Sequence, residues 1–399
     1  MPPSNISIIA LAPNDWEGTW MNRQQLLSRL AKRGFNVTYS TGCLSWWDRG
    51  SERWDKSKWF TRNMYTDGVT VDVPGKNYIR WPKCSLYDET VLKNYVNRLK
   101  NKAGWGNKNS NLIKIAFIFH PSFYPYLDYL DSDYIVYHVY DLHAGMPGSS
   151  VTTEVYEKKL IDRCDLLTVI NRAIIDTFDE FGKKKAKILG NGVDIDLFKL
   201  NKTTEPEDMM AIPSPKIGYA GTLNNKIDWE IIEYLARKVP EWHWVFVGPD
   251  KSDNISDQVQ INCYKRCLSF NNVHLLGGKK RLDVPNYVNN FDIGAICYRL
   301  EENGWSLFGS PLKLHEFLAC GKPVVCSEMP SVYEFSDVIR ISKTHDDWID
   351  NIKNSLEFQY ELEDVERRIA TARNNSWDSK VDILERYLFT MLKSNKKTI

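Results

Sequence analysis

A lysine and a glutamate stand three positions apart in the segment Gly309–Val325, which reads GSPLKLHEFLACGKPVV. Apolar residues recur there at helical spacing, which predicts a helix that Pro311 opens and Gly321 stops. Lys313 and Glu316 would then share one face of that helix. A Gly-Ser-Pro turn that leads into a helix N-terminus suits a phosphate, because the first amides of a helix are free. From the residues alone, an ordinary surface helix with an ion pair explains the pattern equally well.

A second group that can do chemistry follows the predicted strand Tyr134–Val139. Asp141 stands just past the end of this strand, between His138 and His143. A carboxylate in that position could act as a general base. His143 is the reserve candidate, because a neutral imidazole can accept a proton near pH 7. The alternative is an aspartate that only caps a loop or a helix.

The elements around these residues alternate between short apolar runs and amphipathic segments. Ile6–Ala10 predicts a buried strand, Met21–Arg33 a helix and Val37–Ser40 a second strand, so the chain opens as a β-α-β unit with a parallel sheet. Gly18 lies in the first strand-to-helix loop, where ligands of open α/β sheets bind. The same alternation starts again at Lys216–Ala220, which predicts a second sheet. An NAD-binding domain is disfavoured because no Gly-x-Gly-x-x-Gly motif is present.

Composition limits the function classes. A length of 399 residues fits two domains, and 43% hydrophobic with 26% charged residues is ordinary for a globular protein. A formal net charge of +1 argues against general nucleic-acid binding. Scattered cysteines predict neither a zinc site nor a disulfide framework. The sequence shows no apolar run of membrane-spanning length and no signal-peptide pattern, so we expect a cytoplasmic protein.

Two motifs carry a resemblance to a known family. PLKLHEFLACGKPVV resembles the donor-site signature of GT-B glycosyltransferases, above all those of family 4, and Gly190–Phe198 (GNGVDIDLF) resembles the junction that precedes their second domain. The resemblance implies an α/β fold with two Rossmann-like parallel-sheet domains that face a cleft, and a C-terminal helix that crosses back. It implies an acceptor-binding domain at residues 1–200, a nucleotide-sugar domain at 201–375 and the returning helix at 376–399.

The resemblance also implies roles for individual residues. Glu316 would accept hydrogen bonds from the ribose hydroxyls of the nucleotide. The other predicted donor-binding residues are Gly18, Gly221, Thr222, Lys226, Arg299, Gly309, Ser310, Pro311, Leu312 and Lys313. The amides of Gly309–Leu312 would face the diphosphate. Thr222 stands where family members usually carry an arginine, so phosphate contacts would come from backbone amides, Lys313 or Arg299.

The function implied is transfer of a sugar from a nucleoside diphosphate, UDP above all, to a glycan or lipid-linked acceptor of a surface polysaccharide. The nucleotide-sugar would be a substrate, and neither a cofactor nor a metal is expected. Phe308 lies eight positions before Glu316, where retaining members carry a second glutamate. This difference favours inversion, with Asp141 as the base. We also expect peripheral contact with the cytoplasmic face of the membrane. Two alternatives stay open, a nucleotide-sugar epimerase and a catalytically silent glycan-binding or assembly subunit.

Overall fold

The computed structural model describes residues 2–18, 20–106, 111–143, 149–201, 204–300, 305–358 and 361–394. The chain divides into two compact units. The first comprises residues 1–189 with 380–399, and the second comprises residues 190–379. Each unit has its own sheet of parallel strands with helices between them, so the predicted α/β fold class is confirmed. The assignment of the units to acceptor and donor stays a prediction.

The first unit contains ten strands in its described residues. They are β1 (Ile6–Leu11), β2 (Asn36–Ser40), β3 (Leu44–Ser45), β4 (Arg62–Thr66), β5 (Val69–Val73), β6 (Ile79–Arg80), β7 (Ile113–Ile118), β8 (Tyr134–Val139), β9 (Leu166–Val169) and β10 (Ala186–Ile188). The α-helices between them are α1 (Asn22–Lys32), α2 (Glu52–Lys56), α3 (Ser85–Lys102), α4 (Leu127–Leu130), α5 (Val151–Arg163), α6 (Arg172–Asp176) and α7 (Glu180–Lys185). Short 3₁₀ helices cover Pro3–Asn5, Trp46–Asp48 and Pro121–Tyr126.

The main sheet of the first unit has the strand order β10-β9-β8-β7-β1-β2-β5-β4. Its neighbours are parallel except β4, which pairs antiparallel with β5. All six residues of β1 are buried, as expected for a central strand that helices cover on both faces. Since β1, β7 and β8 are adjacent and parallel, the segments that follow them meet at one edge of the sheet.

The second unit is built around a six-stranded sheet with the order β13-β12-β11-β14-β15-β16, in which all neighbours are parallel. Its strands are β11 (Lys216–Ala220), β12 (His243–Val247), β13 (Val273–Leu275), β14 (Ile293–Ile296), β15 (Val324–Ser327) and β16 (Arg340–Ser342). Its α-helices are α8 (Trp229–Lys238), α9 (Gln258–Cys267), α10 (Val284–Asn289), α11 (Leu312–Ala319), α12 (His345–Glu357) and α13 (Leu362–Asn374), with 3₁₀ helices at Ser252–Asn254, Trp305–Phe308 and Pro330–Phe335.

The last helix, α14 (Trp377–Ser394), belongs to the first unit from Lys380 onward. Its apolar face is buried through Val381, Leu384 and Leu388. Nη1 of Arg33, which follows α1, lies 2.8 Å from a carboxylate oxygen of Glu385 on the same helix. The chain therefore returns to the first unit after the second unit is complete.

Three local structures differ from what their residues predict. The sequence predicts one helix over Arg172–Phe181, but the chain forms two, because α6 ends at Asp176 and α7 starts at Glu180. The glycine and three lysines of Gly182–Lys185 predict a solvated turn, but they lie within α7, whose N-cap Asp179 accepts a 2.9 Å hydrogen bond from the Gly182 amide. The polar, proline-containing stretch Asn201–Pro215 predicts a linker, but it contributes Met209 and Ile212 to the core of the second unit.

Two further features concern the surface and the thiols. All eight cysteines are free, and Cys84 alone among them is exposed. None of the helices in the described ranges has the length and apolar character that a membrane span requires.

Candidate functional site

The helix that carries Lys313 and Glu316 is α11, which connects β14 to β15. Pro311 is its N-cap with extended ψ of 120°, so the helix begins at Leu312 rather than at the proline. Gly321, which follows its C-cap, has a φ of +69°, the left-handed conformation that glycine adopts readily at a helix end. The proline and the glycine thus bound the helix as the sequence predicts, shifted by one residue at the start.

Lys313 is buried, with 7% of its surface exposed. Its Nζ donates a 3.1 Å hydrogen bond to the hydroxyl of Tyr298 and lies 3.6 Å from the ring centre of Tyr219. Burial lowers its pKa to about 7, and the nearby positive charge of Lys226 lowers it further, while Glu316 opposes the shift. The simple surface ion pair is therefore not what forms: the ammonium group sits between two aromatic rings.

Glu316 lies one turn later on the same helix and is half-buried. Burial raises its pKa to about 7, against the positive charges of Lys313 and Arg281, which lower it. Among the residues that the structure describes, none donates a hydrogen bond to this carboxylate. A partly buried acceptor without a protein donor is what recognition of a ligand hydroxyl requires.

Two glycines bring the ends of neighbouring strands against Lys313. Gly221 follows β11 with a φ of +145°, and a Cβ atom there would lie 3.1 Å from the Lys313 Nζ. Gly248 follows β12, and a Cβ atom there would lie 1.9 Å from the carbonyl oxygen of Gly221. Only glycine fits such an approach of backbone to backbone. The carboxyl ends of β11 and β12 and the start of α11 therefore form one compact pocket floor.

The turn before α11 is fixed through its carbonyl groups. Ser331 donates a hydrogen bond to the carbonyl of Gly309, and Nδ2 of Asn191 donates a 2.8 Å bond to that of Ser310. Within the described residues, the amides of Ser310 and Leu312 are bonded to no acceptor. Free amides at a helix N-terminus suit an anion, and the phosphate contact itself stays a prediction.

The remaining predicted phosphate ligands occupy two adjacent loops. The carbonyl of Lys226 accepts a 2.7 Å hydrogen bond from the amide of Arg299, which joins the loops. The Arg299 guanidinium pairs with Asp257 at 3.0 Å, at the start of α9. Thr222 is exposed, and its carbonyl accepts a 3.3 Å bond from Tyr219. The loops thus border the pocket floor, and the phosphate contacts stay predictions.

Asp194, which the sequence places in an Asp-x-Asp pair, instead accepts a 3.3 Å bond from Arg281. No cluster of three or more histidine, cysteine or carboxylate side chains with metal-binding geometry occurs in the described part of the chain.

The predicted general base lies in the first unit. Asp141 follows β8 and its Oδ1 accepts a 3.0 Å hydrogen bond from the amide of Leu142, so the side chain also orders its own loop. It is half-buried. His143, two positions on, is buried with 1% of its surface exposed. Burial lowers its pKa well below the ordinary value, helped by positive charge from Arg23, so the imidazole is neutral near pH 7.

Gly18 also lies in the first unit, apart from the other predicted donor-binding residues. Its amide donates a 3.3 Å bond to the carbonyl of Asp15, and it lines a cavity of about 230 Å³ with Trp16, Tyr39 and Arg53.

Sequence reasoning missed four residues of this chemistry. Tyr219 and Tyr298 hold Lys313, Arg281 acts on Glu316, and Arg23 acts on His143. Each belongs to an element distant in sequence from its partner, so the spacing of residues carries no signal for them.

Comparison with known proteins finds similarity to one family in the second unit. Residues 214–357 match the model of the group 1 glycosyl transferases. A Bacillus subtilis protein, whose name assigns it to teichuronic acid biosynthesis as a glycosyltransferase, is 28% identical over 222 residues. That match covers 52% of this chain and 54% of the relative, so it spans about half of each.

Solved structures agree over nearly the whole chain. Sucrose-phosphate synthase from Thermosynechococcus elongatus superposes with a TM-score of 0.70 at 12% identity, over 98% of this chain and 100% of that one. HepE from Anabaena, in complex with UDP, superposes with a TM-score of 0.67 at 13% identity, over 96% and 99% of the two chains. Identities this low show the fold alone. The predicted resemblance is confirmed: the chain has the fold of these solved structures, and residues 214–357 in its second unit are similar to the group 1 glycosyl transferases.

Proposed function

We propose that the protein transfers a sugar from a nucleoside diphosphate, UDP above all, to a glycan or lipid-linked acceptor of a surface polysaccharide. The observation that carries the proposal is the floor made by α11, where Lys313, Glu316 and free turn amides lie together. The family match of the second unit supports transfer, the UDP complex of HepE supports the nucleotide, and the name of the B. subtilis relative supports the polysaccharide.

The pocket floor offers each part of such a donor a partner. The Glu316 carboxylate would accept hydrogen bonds from ribose hydroxyls, and the amides of Ser310 and Leu312 would donate to the diphosphate. Lys313 has a pKa of about 7 when no anion is present. A bound diphosphate favours the protonated form, so binding would restore the charge that stabilises the leaving group.

For transfer, the acceptor hydroxyl must lose a proton. Asp141 is the proposed base, because it is half-buried at the carboxyl edge of the first sheet. His143 is neutral near pH 7 and remains the second candidate. Inversion needs only this base, and Phe308 in place of a second glutamate supports inversion.

The experiment that tests the proposal is titration calorimetry with UDP. Glu316→Ala should weaken UDP binding by about 1.5–3 kcal/mol, the usual cost of losing a charge-assisted hydrogen bond, and Glu316→Gln should lose less. Glu230→Ala, on the exposed side of α8, is the matched control and should bind like the wild type. Failure of the wild type to bind any nucleotide would favour the silent glycan-binding subunit instead.

The donor and the reaction are identified by incubation with a panel of UDP-sugars, with and without a lipid-linked acceptor. Release of UDP only when an acceptor is present is the expected result. An altered sugar in the absence of an acceptor would favour the epimerase and contradict transfer.

We also propose that the protein works at the cytoplasmic face of the membrane as a peripheral protein. Support comes from exposed aromatic side chains of the first unit, Trp47, Trp59 and Phe60, and from Lys83, whose Nζ lies 4.9 Å from the Trp47 ring centre. Aromatic and basic side chains together suit an anionic lipid surface. Sedimentation with anionic vesicles and none with neutral vesicles is expected, and the Trp47→Ser, Trp59→Ser double variant should stay in solution.

A further inference from the structure

The first unit buries an arginine without a carboxylate partner. Arg23 stands in the first turn of α1 and has 2% of its surface exposed. Its Nε and Nη1 atoms have no hydrogen-bond partner among the described residues, and no described carboxylate pairs with it. The guanidinium contacts Tyr140, whose ring centre lies 4.4 Å from the guanidinium carbon and whose hydroxyl is hydrogen-bonded to Arg23. A buried charge of this kind is costly unless a group of opposite sign joins it.

Two histidines belong to the same region as Arg23. His120 follows β7, and its Nδ1 accepts a 3.2 Å bond from the amide of Ser122, so the ring proton lies on Nε2. His143 is buried, and both of its ring nitrogens lack a partner in the described residues. The ring centres of His120 and His143 are 4.7 Å apart. The His143 ring lies 4.8 Å from the Tyr140 ring, so the two imidazoles form one cluster with Tyr140 and the guanidinium.

The positive charge of Arg23 lowers the pKa of the nearby histidines. Burial, with the positive charge of Arg23, lowers the pKa of His120 to about 4 and that of His138 to about 3. Each imidazole is thus neutral near pH 7, and Arg23 keeps the local charge positive. The Nδ1 of His138 is already hydrogen-bonded to the hydroxyl of Thr168 at 2.9 Å, so this histidine is part of the surrounding structure.

The start of α1 adds to this positive end. The helix has eleven residues, and the Gln24 side chain accepts a 3.0 Å hydrogen bond from the amide of Met21, the residue before the helix. Its first residues lie at the carboxyl edge of the sheet because α1 follows the central strand β1. Free amides and the helix dipole favour an anion at this edge. His120 and Tyr140 are only half-buried, so the cluster reaches the surface through them.

We propose that Arg23, His120 and His143 form an oxyanion site on the first unit, which binds a phosphate or carboxylate group of the acceptor. The assignment to the acceptor rests on the proposed function, in which the donor phosphates bind the second unit. Phosphate and carboxylate share the chemistry that the site recognises, a compact group with several acceptor oxygens. An acidic acceptor, either a lipid phosphate or a uronic acid, would thus be positioned near Asp141.

Thermal unfolding of the full chain tests the site, with inorganic phosphate and glucuronate as probes and sodium chloride as the ionic-strength control. For the wild type, at least one probe should raise Tm by roughly 2–4 °C for each tenfold increase in concentration above Kd. Arg23→Met should lose the response. Arg29→Met, on the same helix near its other end, should keep it.

The unfolding temperature of Arg23→Met without a ligand distinguishes a ligand-binding role of Arg23 from a structural one. If Arg23 serves a ligand, Arg23→Met without anions should unfold at the wild-type temperature or above, because a buried charge is removed. If Arg23→Met does not fold, Arg23→Lys should fold and weaken probe binding at least about tenfold, since the planar fork is lost. Equal responses to both probes in the wild type and in Arg23→Met or Arg23→Lys would overturn the site, as would no response in the wild type.

Addition of saturating UDP decides which substrate carries the anion. A probe response that persists with UDP present supports the acceptor. Competition between UDP and the probe would overturn that assignment. Binding of UDP without a probe response would contradict the oxyanion site but not the proposed function. A probe response without UDP binding would contradict the proposed function but not the oxyanion site.

Discussion

At the scale of single residues, the second unit buries a lysine in surroundings that disfavour its charged form. Lys313 lies between the rings of Tyr219 and Tyr298, beside the half-buried carboxylate of Glu316. Burial shifts both groups toward neutrality, so the pair has pKa values near 7 before any ligand binds. A nucleoside diphosphate would supply the anion that the lysine lacks and the hydroxyl donors that the glutamate lacks.

The lysine should make stability depend on pH in a defined direction. Its folded pKa, about 7, is below the ordinary value of 10.5, so between these values the unfolded chain binds more protons. The free energy of unfolding should therefore rise with pH in this window, by at most about 1.4 kcal/mol per pH unit. Lys313→Met should abolish this slope, as measured by urea unfolding at several pH values. Lys265→Met, on an exposed part of α9, is the control, and an unchanged slope in Lys313→Met would contradict the assignment.

Substitution of the proposed base, Asp141, should reduce transfer without affecting donor binding. Asp141→Asn removes the proton acceptor but keeps the hydrogen bond from Leu142, so the loop should stay in place. We expect transfer to fall by roughly a hundredfold to ten-thousandfold, the usual share of general base catalysis, with UDP binding almost unchanged. Initial rates and calorimetry on Asp141→Asn and His143→Ala measure both. Wild-type rates in Asp141→Asn would remove it as the base, and a product of retained configuration would contradict the mechanism.

At the scale of elements, the ends of β11 and β12 set how closely the chain can approach Lys313. The amide of Gly248 donates to the carbonyl of Gly277 at 2.9 Å, while its Cα faces the Gly221 carbonyl. The strand ends are thus locked together by backbone contacts that leave no room for a side chain.

Two glycine substitutions should therefore differ sharply. In Gly248→Ala the new Cβ would meet backbone oxygen at 1.9 Å, so the strand ends must move and UDP binding should be lost along with stability. Gly277→Ala has nothing within 4 Å of its Cβ and would carry only the strain of a φ of +71°, about 1–2 kcal/mol. Chemical denaturation and calorimetry on the two variants measure this. Similar losses in both would show that the close approach is not what matters.

Among the elements, short buried strands are the ones that the sequence predicts well. Tyr134–Val139 and Lys216–Ala220 are strands with the predicted bounds, because short apolar runs between polar residues have few other ways to be buried. Helix α9, reading QVQINCYKRC, was not predicted, since its apolar residues are few and packing against α8 decides its structure. Propensity alone does not specify such a helix.

The candidate site was predicted in part. The motif on α11 identified Lys313 and Glu316, and both lie at the pocket floor. The aromatic cage around Lys313 could not be predicted, because Tyr219 lies on β11 and Tyr298 follows β14, and only the strand order makes these elements neighbours. Arg23 was overlooked for a similar reason: its burial depends on β7 and β8, which come almost a hundred residues later.

At the scale of the whole molecule, the first unit depends on a helix from the far end of the chain. Leu388→Ala on α14 should lower the stability of this unit by about 2–5 kcal/mol, since the side chain is fully buried. UDP binding should stay unchanged, because the proposed donor contacts lie in the second unit. Denaturant unfolding and calorimetry measure the two effects, with Thr390→Ala on the exposed side of α14 as the control. A loss of UDP affinity in Leu388→Ala would show that the donor site depends on α14.

The division of the chain has a consequence for its synthesis. Residues 190–379 are continuous, so the second unit has all of its strands and helices once they have emerged from the ribosome. The first unit is made earlier but lacks Val381, Leu384 and Leu388 until α14 has been translated. During that interval the surface that α14 will cover is exposed to water and to other proteins. The half of the protein that is translated first is therefore the last to complete its folding, and a chaperone that attends the nascent chain should engage this half.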